Sequence, residues 1–430
     1  MEILHPFCIP EIWGGPECTV NRIGDTYRDQ LEETGHYARH NDIDHFAGLG
    51  FKRMRYPILW EHHWDDRNPI NWNWIEKKLI LLQSKKIIPI AGLMHHGSGP
   101  RHTDLLDEKF AVKLASYAGR VAARFPWLEY YTPINEPLTT ARFSGLYGFW
   151  YPHHCSEFSF YKMLLNQVKG IILSMQSIRK INPNAKLIQT EDLSKTHSTP
   201  ALSYQADFEN ERRWLTYDLL CGKLNRTHYF WNHLRSTGIG EEELQFFLDN
   251  PCPPSIIGFN YYVTSERYLD ESLHNYPGYT HGGNAKESYA DIAAAGTGCM
   301  EGVEPLLKEA WDRYQLPMAI TECHLNGSDE DQLIWWKETW EACCNMNRNG
   351  PIVKAVTAWS LLGAYDWNSL LLNKDNYYEK GVYDISNGNL QPTILADMIH
   401  HLSKYGHYHF PISDKGWWKE NVMIEEEAII

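Results

Sequence analysis

Residues 51–94, FKRMRYPILWEHHWDDRNPINWNWIEKKLILLQSKKIIPIAGLM, carry the pattern that decides the fold. The run 51–58 reads as a strand, 74–85 as a helix and 87–94 as a buried strand, which together make one βα repeat. Outward from this stretch the repeat recurs. Before it, 9–13 reads as the first strand. After it, Phe110, Leu114, Tyr117, Ala118, Val121, Ala122 and Phe125 return at helical spacing and define one apolar face. Residues 130–137, YYTPINEP, are strand-like, and an amphipathic helix then runs through Phe158, Tyr161, Leu165, Val168, Ile172, Met175 and Ile178 until Asn182-Pro183 ends it. Strand 186–192, a helix over 204–220 and strands 256–263, 317–323 and 353–362 follow, with a helical run at 333–346 and a last helix at 393–404.

Eight strand-length runs, each followed by a helix or a long connection, are the number that closes a (β/α)8 TIM barrel. No linker, low-complexity tract or charge block divides the chain, so residues 1–430 are expected to form a single domain. The stretch 266–302, rich in Gly, Tyr and Ala, reads as an extended loop over the barrel mouth.

Composition narrows the function. With 54 acidic and 40 basic residues the net charge is −14, which disfavours a nucleic-acid partner, since counterion release needs clustered Lys and Arg. Nine Cys, at positions 8, 18, 155, 221, 252, 299, 323, 343 and 344, are scattered without CxxC spacing. Reduced cytoplasmic thiols are the simplest account. The opening MEILHPFCIPEIW has no basic region followed by an apolar one, and no apolar run reaches the roughly 18–20 residues of a membrane span. A soluble cytoplasmic protein without a membrane partner is expected. The 17 Trp, 25 Tyr and 15 Phe suit either a large aromatic core or a carbohydrate site, where flat rings meet sugar C–H faces.

In a TIM barrel the functional groups sit where strands end at the C-terminal face. Glu136, in Asn135-Glu136-Pro137, ends the fourth strand, and Pro137 is expected to keep it extended. Glu322 ends the seventh strand after Met318-Ala319-Ile320. One strand-end Glu is ordinarily solvated or salt-bridged; two at these places, amid aromatics, suit glycoside hydrolysis. That chemistry pairs a nucleophilic carboxylate with an acid/base carboxyl about 5–5.5 Å away for retention, or about 6.5–9.5 Å for inversion.

From Trp13 almost to its end the chain resembles glycoside hydrolase family 1, the retaining β-glycosidases. TPINEP at 132–137 is similar to that family's acid/base motif and AITEC at 319–323 to its nucleophile motif. The resemblance implies Glu136 as acid/base and Glu322 as nucleophile, with Arg55 keeping Glu322 ionised and the Tyr262 hydroxyl donating to it. It further implies His95 and Asn135 as sugar-binding residues, Asn260 behind the site, Trp359 as a platform under the sugar and Trp367 closing the far side. Neither a cofactor nor a metal is implied.

The departures concern the glycone. Asn21 stands where the family has Gln, His96 where it has Trp, and Asp366 where it has Glu, at positions that hold the sugar's 3-, 4- and 6-hydroxyls. An altered glycone pocket is therefore expected. Lys374 and Tyr377 resemble the basic and hydroxyl pair of phosphosugar-binding members, but the Asp366 carboxylate would oppose a phosphate. A transglycosidase and a barrel that binds carbohydrate without cutting it are the other readings. The pairs His62-His63, His95-His96 and His153-His154 invite a metal, yet neighbours on a strand point to opposite faces and no HExxH occurs.

Overall fold

The computed structural model describes residues 9–63, 70–408, 411–413 and 415–420, the side chain of His63 excepted. Cys8 and most of the N-terminal stretch read for a leader lie outside these residues. Eight parallel strands close into a barrel: β1 (Glu11–Gly14), β2 (Arg53–Pro57), β3 (Ile88–Gly92), β4 (Tyr130–Thr132), β5 (Lys186–Asp192), β6 (Ile256–Tyr261), β7 (Met318–Cys323) and β8 (Val353–Ala358). β1 pairs with both β2 and β8, which closes the ring. The connections carry α1 (Asp42–Gly48), α2 (Asn73–Ser84), α3 (Phe110–Arg124), α4 (Glu157–Arg179), α5 (Leu215–Leu220), α6 (Val303–Tyr314), α7 (Asp329–Arg348) and α8 (Ile394–Tyr405). The fold is a single (β/α)8 TIM barrel.

Strand alternation divides the apolar residues between two cores. Trp13, Ile90, Tyr130, Ile188, Ala319 and Ala355 fill the barrel interior. Their outward neighbours, such as Met54, Tyr131, Leu187, Ile320 and Val356, pack with the helices in the larger core. Gly258 on β6 has no room for a side chain, since a Cβ there would lie 2.7 Å from Thr321 Cγ2 and 2.9 Å from the Gln189 carbonyl oxygen.

Four sequence expectations need correction. The stretch 266–302 is not simply a loop: Glu266–Asp270, His281–Gly283 and Ser288–Ala293 join Lys195–Ser198 in a separate four-stranded sheet. These strands are short and only partly buried, so no long apolar run marks them. The helix expected over 204–220 is broken into Ser203–Arg212 and α5. The turn tightens where Trp214 N–H reaches Glu211 O at 3.3 Å, while the Arg213 side chain leaves to pair with Glu309. The other two corrections, at Glu136 and at the His95-His96 pair, belong to the site.

Candidate active site

Glu322 reaches the barrel interior through an irregularity. Alternation sends Ala319 inward and Ile320 outward, but the register of β7 against β6 shifts between Ile320 and Glu322. A shift of this kind re-aims the side chains that follow it. Glu322 Oε1 accepts from Arg55 Nη1 at 2.6 Å, and Oε2 accepts from the Tyr262 hydroxyl. Arg55 also donates to the Thr321 carbonyl at 2.8 Å and, through Nη2, to Asn135 Oδ1 at 2.7 Å, so one guanidinium ties β7 to the end of β4.

Glu136 is held differently. Its backbone is left-handed, with φ 44° and ψ 63°, where Pro137 was expected to keep it extended. Proline disfavours the right-handed helical region at the preceding residue, and itself suits the first helical position, so the chain turns sharply at Glu136 into the helix Pro137–Ala141. Such a non-Gly conformation costs on the order of 1–3 kcal/mol and needs support. β5 supplies it. Glu136 N–H donates to Thr190 O at 3.2 Å, and Leu138 N–H donates to Glu191 Oε1 at 2.7 Å. Glu136 Oε1 itself accepts from Asn260 Nδ2.

Asn135 and Asn260 lie at the centre of the network. Asn135 Oδ1 accepts from Arg55 and from Thr190 Oγ1 at 2.7 Å, which turns its Nδ2 toward His95 Nε2 at 3.1 Å and His96 Nε2 at 3.3 Å. Asn260 Oδ1 takes the Thr321 hydroxyl at 2.7 Å. The two histidines therefore converge on one amide instead of facing apart, because His96 has φ 52° and breaks the strand alternation. Burial first, then the nearby positive charge of Arg55, pushes His96 down to about 3, and burial also pushes His95 down. Burial thus favours the neutral rings, whose Nε2 atoms face the Asn135 amide as acceptors.

The two carboxyls titrate apart. Burial raises Glu322 to about 7, opposed by Arg55 and by the Tyr262 hydrogen bond. Glu136 is raised well above the usual carboxylate range, by burial first and then by the charges of Glu322, Asp192 and Glu191. Arg55 favours the ion at Glu322, whereas among the described residues no cation is bonded to Glu136, so Glu136 keeps its proton to higher pH.

The remaining predicted residues fall into two sets. Trp359, 3% exposed, stacks on His95 with centroids 5.4 Å apart and lies under the Arg55 guanidinium at 4.6 Å. Gly15 lets it seat, since a Cβ there would lie 2.6 Å from Trp359 Cζ3. Trp367 borders His96 at 5.6 Å, and its Nε1 has no hydrogen-bond partner. Asn21 is fully buried on the hairpin Val20–Ile23/Thr26–Asp29, and neither amide atom is hydrogen-bonded. Asp366 is already committed: Oδ2 pairs with Arg28 Nη2 at 2.7 Å and Oδ1 accepts from Tyr377 N–H at 2.8 Å. Lys374 is exposed, and the Tyr377 hydroxyl accepts from Asn326 Nδ2 at 3.0 Å. Elsewhere His62 pairs with Asp29 at 2.9 Å, His153 accepts from Gly24 N–H at 2.9 Å, and His154 meets the Ser159 hydroxyl at 3.1 Å. Among the described residues no group of three or more His, Cys, Asp or Glu is placed to hold a metal.

Sequence reasoning missed Glu17 and Glu191. Glu17, 4% exposed on the loop after β1, accepts Thr19 N–H at 2.8 Å and Trp359 Nε1–H at 3.1 Å. Inspecting every acid shortly past a strand end would have found it. Glu191 lies one residue before the end of β5 and faces outward, so only its partners, Leu138 N–H and the Thr216 hydroxyl, reveal its part.

No family model and no curated protein matches the sequence. Solved structures do resemble the fold. A Thermotoga maritima family 1 glycoside hydrolase, complexed with a cyclophellitol analogue transition state mimic, superposes with a TM-score of 0.76 at 15% identity, over 93% of this chain and 98% of that one. A β-glucosidase from the same organism, in complex with deoxynojirimycin, gives 0.73 at 14% identity over 93% and 98%. The AHE enzyme from Alicyclobacillus herbarius gives 0.71 at 15% identity over 87% and 88%. At these identities the likeness concerns the fold.

Proposed function

We propose that the chain hydrolyses a β-glycosidic bond with retention of configuration, through a covalent glycosyl-enzyme. The observation that carries this reading is the unequal pair: Glu322 clamped by Arg55 and Tyr262, and Glu136 held without a bonded cation. In the first step Glu322 attacks the anomeric carbon, the bond to the leaving oxygen breaks, and Glu136 gives that oxygen its proton. In the second, Glu136 takes a proton from water, the water oxygen attacks the anomeric carbon, and Glu322 leaves as carboxylate. Arg55 and Tyr262 stabilise Glu322 as it departs. The fold likeness to structures described as family 1 β-glucosidases supports the same reading.

Glycone recognition differs from an ordinary β-glucosidase. The Asp366 carboxylate is engaged on both oxygens by Arg28 and Tyr377, whereas the Asn21 amide and the Trp367 indole N–H are left for hydroxyls. A missing hydrogen bond costs about 1 kcal/mol or more unless the sugar changes to suit. On this reading the whole chain is one cytoplasmic catalytic domain acting without a cofactor. Release of nitrophenol from aryl β-glucosides, galactosides, fucosides, xylosides and mannosides tests it, with Glu322→Gln as control. Turnover abolished by the substitution supports the reading; silence across the panel points instead to a barrel that binds carbohydrate without cutting it. Glucoside preference at ordinary efficiency would sink the altered pocket alone.

A further inference from the structure

Glu17 has no role in the chemistry above, yet it is a third carboxylate within the same buried network. Its oxygens take one N–H each, from Thr19 at 2.8 Å and Trp359 Nε1 at 3.1 Å, so both act as acceptors. Its Oε1 lies 3.9 Å from His95 Nε2, and that nitrogen lies 3.8 Å from Glu322 Oε1. His95 in turn stacks on Trp359. We infer that Glu17 is a positioning residue for the proposed hydrolysis, fixing the indole of Trp359 and the wall it forms with His95, and competing with Glu322 for the charge of Arg55. The inference rests on the reading of Glu322 as nucleophile.

The groups facing Glu17 and Glu322 are Arg55 from β2, His95 and His96 beyond β3, Glu136 beyond β4, Tyr262 beyond β6 and Cys18 beside Glu17. Burial favours the neutral form of both histidines, the Tyr262 phenol, the Cys18 thiol and Glu136. Arg55 is then the fixed charge that bears on Glu322, joined by Glu17 where that carboxyl is ionised. Burial pushes Glu17 up as well, against Thr19, Trp359 and Arg55, which favour its ion. A negative Glu17 makes a negative Glu322 harder to form; removing that charge lets Glu322 ionise at lower pH.

The test is the pH dependence of kcat/KM on an activated aryl glycoside for wild type, Glu17→Gln and Glu17→Asp. Glu17→Gln is expected to move the acid limb down by about one pH unit, a shift that a merely structural role would not produce. Glu17→Asp keeps the charge but draws it back from Trp359, so the limb stays within a few tenths of wild type while KM rises about five-fold or more. An acid limb unmoved in Glu17→Gln overturns the inference, even though Glu322→Gln still abolishes activity. Should Glu17→Gln fail to fold, an unchanged KM in Glu17→Asp overturns it instead. A wild type that hydrolyses nothing on the panel overturns the glycosidase reading and this inference with it.

Discussion

The ends of β4 and β7 present the same side chain three strands apart in the barrel order, and they hold it in different ways. At β7 the backbone stays extended and a register shift re-aims Glu322, whose two oxygens each receive a donor, one of them the charged Arg55. At β4 the strand stops early and the chain turns left-handed to present Glu136, which receives the neutral amide of Asn260. On the proposed mechanism surroundings, and not residue type, divide the labour: the end with the cation would supply the nucleophile and the end without one the proton donor.

The largest test of that division removes the nucleophile. Glu322→Gln is expected to lower kcat by on the order of 10⁴-fold or more on every leaving group, measured by nitrophenol release. Glu136→Gln sharpens the comparison, because proton donation contributes about 10²–10⁴-fold only where the leaving group needs it. Alkyl glycosides should lose that factor, while dinitrophenyl glycosides should form the glycosyl-enzyme at a nearly wild-type rate. Equal losses on both substrates would break the assignment.

Support for the left-handed turn comes next. Glu191→Ala deprives Leu138 N–H and the Thr216 hydroxyl of their acceptor. A stability loss of about 1–3 kcal/mol in urea unfolding is expected, with activity on alkyl glycosides falling more than on dinitrophenyl glycosides. The pH profile follows from the two environments. Since the proposed nucleophile acts as its ion and burial pushes Glu322 up to about 7, kcat/KM should rise as pH increases through about 7. It should fall again at higher pH as Glu136 releases its proton. The smallest effect is on stability. Glu322 releases its proton near 4.5 when unfolded and at about 7 when folded, so its charge removes stability as pH rises through that window. Glu322→Gln should therefore raise Tm at pH 8 by about 2–4 °C and leave it nearly unchanged at pH 4.

The barrel was legible because its strands are short runs rich in apolar residues, with β7 buried along its whole length and β3 buried at its centre. Glu266–Asp270 and Ser288–Ala293 were not, since a partly buried strand outside the barrel has weak alternation and Gly-rich neighbours. Within the site, the strand-end rule led to Glu136 and Glu322 but not to their geometry. Pro137 excludes one backbone region for Glu136 and leaves two, and the choice between them is made by Thr190 and Glu191 on a strand some fifty residues away. The commitment of Asp366 to Arg28 depends likewise on a contact between distant segments, which no local pattern announces.

On the proposed mechanism Glu322 becomes covalently bound to the sugar while Glu136 does not. Incubation with the 2-deoxy-2-fluoro glycosyl fluoride of the sugar selected by the aryl glycoside panel, followed by peptide mass mapping, measures this directly. One fluorosugar per chain is expected, on the peptide containing Glu322, and none in Glu322→Gln. A label on Glu136 or any other residue, or steady turnover of the panel substrate with no label formed, would contradict it.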